Sequence, residues 1–276
     1  MSEWKRFARN RLAVTGLVVF AALVLLAVLA PAIAPYDPDQ QNWQERLQPP
    51  SRAHLFGTDE YGRDLFSRVL YGGRVSLMAG VVPVAGGAAA GTLLGLVAGY
   101  LGGRWDTWLM RILDILLAIP TIFLALAIVG TLGPGLGSAM IAVAVVSIPS
   151  YARMVRGQVL SLRERDFVTA SVAAGAGPAR ILFRHLLPHV LSPLLVQSTL
   201  SIGFAILTTA GLSFMGLGTQ PPTSDWGEML ASARQYLPEA WWLAVFPGLF
   251  VMLSVLSVNL LGDGLRDYLD PRTRGR

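Results

Sequence analysis

The sequence has no cysteine and only one lysine, and these two absences exclude several kinds of function. Without cysteine, the chain cannot form disulfides, thiolate metal sites or a cysteine nucleophile. The single lysine, Lys5, does not lie in the GxxxxGK[ST] loop that binds nucleotide phosphates, so the chain cannot supply an ATP site of that type. The sequence also lacks GxSxG and a serine–histidine–aspartate order, so we predict no catalytic residues and no enzyme activity.

Charged residues are scarce, and apolar residues are gathered into long runs. They make up 14% and 53% of the 276 residues, whereas soluble domains carry roughly 25% charge. Runs of about 20 apolar residues have the length that crosses a bilayer. The sequence therefore predicts an all-α polytopic bundle of six transmembrane helices, at 12–33, 75–101, 107–132, 136–151, 190–212 and 241–261. A cleaved signal peptide is the alternative for the first run, although its apolar core is longer than is usual for one.

The distribution of basic residues predicts the orientation of the bundle. Sixteen of the 22 Lys and Arg lie in segments 1–11, 102–111, 153–189 and 263–276, and these segments fall on one side of a six-helix topology. By the positive-inside rule this side is cytoplasmic, with both termini. The net charge of +5 is explained in this way, and no nucleic-acid partner is predicted. We divide the chain into residues 1–74 (N-terminal segment, first span and outer loop), a core at 75–270 with a cytoplasmic loop at about 153–189, and a tail at 271–276.

The loop between the first two spans, residues 35–74, mixes acidic and basic residues as a solvated loop does. Apolar residues in its second half predict a short interfacial helix over 61–71. Within the second span, glycines recur every four residues and share one helix face, which predicts close contact with another helix. These glycines are Gly87, Gly91, Gly95 and Gly99.

The third span contains two residues that are unusual in an apolar helix. Asp114 is a candidate for a substrate or proton pathway, but an ion pair with Arg111 is the simpler explanation. Pro120 should kink the helix and free a carbonyl group. Elsewhere, His185 and His189 are four residues apart, but Pro188 stands between them and no HExxH pattern is present, so no metal site is predicted.

The longest polar interruption in the second half is residues 166–188. Small residues recur on one helical face up to Ala174, and Gly175 and Gly177 then break the helix. Pro178 suits the first turn of a second helix, which Leu187 and Pro188 should end. Two short helices between membrane spans are expected to dock onto a partner protein.

This stretch resembles the coupling loop of bacterial ABC importer permeases, which has the pattern EAA-x3-G-x9-IxLP. Thr169, Ala170 and Ser171 lie at EAA, Gly175 lies at the glycine, and His185 to Pro188 lie at IxLP. The threonine replaces a glutamate of that pattern. The resemblance implies that an ATPase subunit docks onto the loop, through residues Asp166, Thr169, Ala170, Ser171, Gly175, Pro178, Leu187 and Pro188.

Further segments resemble the dipeptide, oligopeptide and nickel permeases, and in particular their "C"-type subunit. These segments are 57–64, 132–136, 151–156, 166–168, 212–218, 221–222 and 226–227. The family implies a type I ABC importer fold in a bacterial or archaeal inner membrane. It also implies a "B"-type permease partner, two ATPase subunits that hold ATP and Mg²⁺, and a solute-binding protein. Thr209 stands where a glutamate is frequent, and candidate pathway residues are Asp114, Pro120, Thr209, Ser213 and Phe214.

Two alternatives to an importer permease remain open. A secondary transporter would carry its own ionisable coupling site within the membrane, for which Asp114 alone is thin support. A structural membrane protein would not need the polar interruption at 166–188. Within the importer family, di- and oligopeptides are the expected substrates and nickel is the alternative, and the bundle is expected to contact membrane lipid.

Overall fold

The computed structural model describes residues 10–269 and shows a bundle of long helices. The helices are α1 Arg11–Ile33, α2 Leu65–Leu101, α3 Gly103–Ala118, α4 Thr121–Leu132, α5 Leu136–Leu162, α6 Asp166–Ala173, α7 Pro178–Phe214, α8 Trp226–Ala233 and α9 Trp242–Leu269. The only β-pairing in this range is an isolated bridge between Thr58 and Asp64, so the predicted all-α class is confirmed. Residues 1–9 of the predicted basic segment 1–11, and the predicted tail at 271–276, lie outside the described residues.

Five helices are individually long and apolar enough to cross a membrane, namely α1, α2, α5, α7 and α9. A sixth span is formed if α3 and α4 are counted as one. These segments correspond to the six predicted spans. Each of the five long helices also contains a proline inside it, at Pro31, Pro83, Pro149, Pro193 or Pro247.

The third predicted span is broken rather than kinked. α3 and α4 meet at an angle of 95°. Ile119, which precedes Pro120, is extended at φ −91° and ψ 127°, as expected because the proline ring clashes with a helical residue before it. The third span was predicted to begin at 107, but Gly102 at φ +65° makes the turn after α2 and α3 begins at Gly103.

Four helices extend well beyond their predicted ends, and one of them is α9, which continues to Leu269 rather than ending at 261. α2 begins at Leu65, so the separate interfacial helix predicted at 61–71 is wrong and most of it is the first turns of α2. α5 passes Pro149 and ends at Leu162. α7 passes Pro188 without ending, and the turns before it, Ile181–Leu186, are π-helical. A proline within a membrane helix is tolerated where neighbouring groups and local π adjustments compensate for the missing hydrogen bond.

The cap, which we define as residues 36–64 with α8, covers the end of the bundle where α1 ends and α2 begins. Trp226 of α8 is 1% exposed, and its indole N–H donates to the carbonyl of Val69 at 2.9 Å. The indole N–H of Trp242 donates to the carbonyl of Thr58 at 3.2 Å. These buried contacts hold the cap against α2 and α9.

Candidate functional site

The hairpin, residues 166–188, consists of α6 and the first turns of α7. Val168 is buried, and it belongs to an apolar cluster with Val159 and Leu162 of α5 and with Ile181 and Leu186 of α7. The hairpin is therefore anchored to the two helices that precede and follow it. Exposed side chains of Val172 and Phe183, each 52% accessible, lie on its outer surface.

The turn of the hairpin depends on a left-handed residue. Gly175 has φ +80°, where a side chain is disfavoured, and its N–H donates to the carbonyl of Val172 at 2.9 Å. Ala176 N–H donates to the Ser171 carbonyl at 3.0 Å, which completes the C-terminal cap of α6. Nothing lies within 4 Å of the position of a Cβ on Gly175, so only the backbone conformation demands glycine.

Aromatic stacking joins α6 to α7. The ring of Phe167 stacks on the imidazole of His189, with centroids 5.0 Å apart and planes 19° apart. His189 Nδ1 lies 2.8 Å from the His185 carbonyl oxygen. The imidazole of His189 therefore links α6 to α7, whereas His185 takes part only through its main-chain carbonyl.

The predicted coupling residues fall mainly on the free surface of the hairpin. The exposed ones are Asp166, Thr169, Ala170, Gly175, Pro178 and Pro188. Ser171 and Leu187 are partly covered; Ser171 donates its hydroxyl to the Phe167 carbonyl at 2.7 Å, and Leu187 packs in the apolar cluster. A protein that docked here would contact the backbone and small side chains of α6.

The glycine stripe of α2 faces α5. A Cβ built on Gly91 would lie 2.5 Å from the Cβ of Tyr151, and one on Gly95 would lie 2.5 Å from the carbonyl oxygen of Ala152. Gly87 and Gly99 likewise have α5 atoms within 3 Å of that position. Because no side chain fits between them, the two helices touch backbone to backbone.

A groove with polar side chains runs between α4, α5 and α7. It has a volume of about 320 Å³, and its polar lining is Thr121, Ser147, Ser150, Gln197 and Ser201. A second cavity of about 380 Å³ shares Thr121 and Phe204 with it and continues along α7 to Gly211. Phe204 and Leu207 are more than half exposed, so the groove is open on one side. No lining residue of either cavity is charged.

Most of the candidate pathway residues lie elsewhere. Pro120 adjoins the groove through Thr121, but Asp114, Thr209, Ser213 and Phe214 do not line it. Thr209 is 2% exposed and its hydroxyl donates to the Ala79 carbonyl at 3.3 Å. Ser213 Oγ accepts from the N–H of Thr219 at 3.2 Å.

Asp114 is paired, but its partner is on another helix. Its Oδ1 lies 2.6 Å from Nη2 of Arg153 on α5, so the suggested ion pair with Arg111 is wrong. Asp106 similarly binds Arg156, with Oδ2 2.7 Å from Nη2. These two pairs attach α3 to the end of α5 that leads into the hairpin.

Sequence reasoning missed the polar stripe of α7. Gln197, Ser201, Phe204, Thr208 and Gly211 recur at helical spacing; the first three line the groove, and the last three line the second cavity. Their spacing of four, three, four and three residues is visible in the sequence. The sequence does not indicate which neighbouring helices face that stripe.

The cap and the first turn of α2 share a buried ionic cluster where the sequence indicated a solvated loop. Arg68 is 1% exposed and lies 3.5 Å from Asp59 and 3.7 Å from Glu228. Arg63 Nε donates to Asp59 at 2.6 Å. Burial is the main cause that raises the pKa of Glu60 and of Glu228, both of which lie in the cap.

Comparison with known proteins assigns relatives to the whole chain. Residues 91–275 match the model of the binding-protein-dependent transport system inner membrane component, and residues 3–50 match the N-terminal TM domain of oligopeptide transport permease C. A dipeptide transport system permease protein of Alkalihalophilus pseudofirmus is 48% identical over 279 residues, which cover 99% of this chain and 91% of the relative.

Two further relatives are similar over nearly the same length. A di/tripeptide transport system permease protein of Pseudomonas aeruginosa is 50% identical over 277 residues, 98% of this chain and 91% of its own. A glutathione transport system permease protein of Escherichia coli is 49% identical over 273 residues, 99% of this chain and 90% of its own. The names of these relatives thus describe permeases for short peptides.

Proposed function

Because the chain belongs to the inner-membrane components of binding-protein-dependent transport systems, we propose that it forms one side of a membrane pathway for di- and tripeptides. The pathway is the groove between α4, α5 and α7, and the energy comes from ATP hydrolysed by other subunits. The multi-pass bundle has its termini and the hairpin on the cytoplasmic side, where the positive-inside rule favours the basic residues.

One observation carries the proposal. The two helices that line most of the groove, α5 and α7, are the same two that the hairpin joins. Val168 packs on both of them, so a displacement of α6 moves the inner ends of both. A protein that grips the hairpin therefore acts on the walls of the groove without entering it.

The partners are those that the family implies. ATP and Mg²⁺ belong to two separate ATPase subunits, one of which docks onto the hairpin, and the single lysine of this chain lies outside any phosphate-binding loop. The groove is open along Phe204 and Leu207, and a second permease subunit supplies the facing wall. A solute-binding protein delivers the peptide at the cap.

The substrate class rests on the relatives and on the groove. Each relative named above is a permease for a dipeptide, a tripeptide or glutathione, molecules that share amide groups and differ in side chains. A lining of hydroxyl and amide groups without charge can hydrogen-bond peptide amides and selects no side-chain charge. Nickel would find no histidine or carboxylate ligand in this lining.

Uptake measured in a strain that lacks only this chain tests the proposal. Restoring the chain should restore accumulation of a labelled dipeptide, and the uptake should stop when ATP is depleted while the proton gradient is maintained. Uptake that followed the proton gradient would instead indicate a secondary transporter. Nickel accumulation without peptide accumulation would overturn the substrate assignment alone.

A substitution on the hairpin tests the docking surface. Ala170→Trp places a bulky side chain on the exposed face of α6, and we expect it to abolish both uptake and co-purification of the ATPase subunits. Ala22→Trp, on an exposed face of α1, is the matched control and should leave both unchanged. Full co-purification and uptake in Ala170→Trp would show that the ATPase docks elsewhere.

A further inference from the structure

Helix α3 has the features of a helix that lies in the plane of a membrane surface. Four large apolar side chains, Trp105, Trp108, Ile112 and Ile115, are 55–63% exposed. Their spacing of three, four and three residues places them on one face, within about 80° at 100° per residue. The opposite flank holds Leu113, which is 4% exposed, and the two aspartates that bind α5.

The direction of α3 is set by its neighbours. α4 packs along α5, where Ala125 and Val129 are fully buried in a cluster with Ala139 and Ala142. α3 turns away from α4 by 95°. α3 therefore runs across the axis of α5 rather than along it.

The two ion pairs agree with this crossing. Asp106 and Asp114 are eight residues apart on α3, a rise of about 12 Å, whereas Arg156 and Arg153 are three apart on α5, a rise of about 4.5 Å. Helices that lay side by side would have matching separations. When two helices cross, residues that are far apart on one helix can pair with residues that are one turn apart on the other.

α3 crosses α5 at a depth close to the edge of the hydrocarbon layer of the bilayer. α5 begins at Leu136, and Arg153 and Arg156 lie about 26 and 30 Å further along its axis. The hydrocarbon core of a bilayer is about 30 Å thick. If α5 spans the bilayer from its first residue, α3 is attached where the apolar layer ends.

Two arginines suit this position. Arg104 and Arg111 are exposed on the flank of the apolar face, and neither forms an ion pair with any residue between 10 and 269. An amphipathic helix with tryptophan on one face and arginine beside it is typical of binding to anionic lipid. We propose that α3 lies in the membrane interface at the hairpin end, with its apolar face in the acyl region and Arg104 and Arg111 bound to anionic phospholipid headgroups.

The remaining length of the chain permits this arrangement. α4 alone rises about 18 Å, and the extended residues 119–120 add about 7 Å at roughly 3.3 Å each. Together they cover most of the hydrocarbon layer of about 30 Å without α3. Thr121, at the start of α4, lines the polar groove, so backbone groups freed by the break at Pro120 adjoin a polar space.

Spin labels measure the orientation of α3 relative to the bilayer. The chain has no native cysteine, so a label attaches to it only at an introduced cysteine. Trp108→Cys and Ile115→Cys are labelled singly in the full-length chain, within the assembly with which it purifies, in phosphatidylcholine–phosphatidylglycerol vesicles. Collision with oxygen and with a soluble nickel chelate gives each depth. We expect depths that agree within about 3 Å, two residues of helical rise. A difference near 10 Å, seven residues of rise, would mean that α3 crosses the bilayer and would overturn the proposal.

A partner protein over the apolar face is the other outcome that would overturn it. Both labels would then be shielded from oxygen and from the chelate alike. This result is independent of the proposed transport function, since the depth of α3 is measured without substrate or ATP.

The headgroup contact has its own test. Phosphatidylglycerol should raise the thermal midpoint of the parent assembly above its value in pure phosphatidylcholine, and Arg104→Gln with Arg111→Gln should abolish that rise. The control variant combines Arg52→Gln with Arg234→Gln, at two exposed arginines near the cap. It removes the same amount of charge and should retain the rise in thermal midpoint. Soluble glycerol phosphate should give no rise. An equal response in the α3 double variant and the parent would refute the arginine contact.

Discussion

Glycine is needed at only some of its positions in α2, and neighbouring glycines on that helix show the difference. At Gly91 an added Cβ would meet the Cβ of Tyr151 and the carbonyl of Ile148, at 2.5 and 2.7 Å. At Gly86 the nearest heavy atom would be 3.8 Å away, an ordinary van der Waals contact. The contact with α5 therefore depends on one face of α2 and not on its overall glycine content.

We predict opposite effects for alanine at these two positions. Gly91→Ala forces α2 and α5 apart and should lower the free energy of unfolding by about 1–3 kcal/mol, the usual effect of overpacking. Gly86→Ala, the matched control, should be neutral or stabilise by up to about 1 kcal/mol through helix propensity. Thermal unfolding in detergent measures both. Equal midpoints for the two variants would show that the stripe does not hold the helices together.

The acidic residues of the cap predict a pH dependence of stability. Burial raises the pKa of Glu60 and Glu228 in the folded chain above the ordinary value of 4.5. Between that value and the raised one, the folded state binds more protons than the unfolded state, so stability should fall as pH rises through this window. The contribution is fully present below pH 4.5 and is lost above the raised pKa.

Glu228→Gln isolates this effect, because glutamine resembles the protonated acid at every pH. We expect the thermal midpoint of the variant to fall less between pH 4.5 and neutral pH than that of the parent. Glu239→Gln, at an exposed acidic residue near the cap, should follow the parent curve. If the thermal midpoint of Glu228→Gln changed with pH as that of the parent does, a group other than Glu228 would be responsible for the proton uptake.

At the scale of elements, the hairpin depends on one turn. Gly175 and Gly177 both have free space around a prospective Cβ, but their φ angles are +80° and −70°. Gly175→Ala should cost about 1–2 kcal/mol in hairpin stability, because an L-residue is strained in the left-handed region. Gly177→Ala meets no such strain.

Uptake and limited proteolysis would reveal this difference. Gly175→Ala should be cut faster at the hairpin and should transport more slowly, with Gly177→Ala close to the parent. If the two variants transported equally, the rigidity of the turn would be irrelevant to coupling.

The same residue type gives different outcomes in different helices, which limits prediction from sequence. The apolar runs predicted the spans, since hydrocarbon thickness fixes their length. Pro120 ends a helix among exposed residues, whereas α5 continues past Pro149 because Tyr151 and Ala152 are buried against the glycine face of α2. The helix ends therefore depend on partners that are distant in sequence.

Other features were beyond prediction for the same reason. Asp114 finds Arg153, 39 residues away, rather than its helical neighbour. The cap residues Asp59 and Glu228 are brought together by Arg68, although 169 positions separate the two acids. The hairpin was recognisable because its glycine, proline and small residues carry local conformational information, and the exposed positions of Thr169 and Ala170 fit the docking role expected of them.

For the whole molecule, the groove proposed as the transport route is open on the side of Phe204 and Leu207. Ser201 lies in its lining, so Ser201→Trp should obstruct the passage and abolish peptide uptake while the ATPase subunits still co-purify. Leu195→Trp, on the same helix at a side chain that is 55% exposed and outside the groove lining, should transport normally. Unchanged uptake in Ser201→Trp would exclude this groove as the route.

The prolines inside the long helices mark points at which these helices bend more easily. Each lacks one main-chain hydrogen bond, so the helix bends there more easily than elsewhere. Pro149 adjoins Ser147 and Ser150, and Pro193 precedes Gln197 by one turn, so both joints lie at the hairpin end of the groove. We expect a pull on the hairpin to bend α5 and α7 at these joints before it displaces their far halves. Under the proposed function, the two ends of the groove would then open in turn, as alternating access requires.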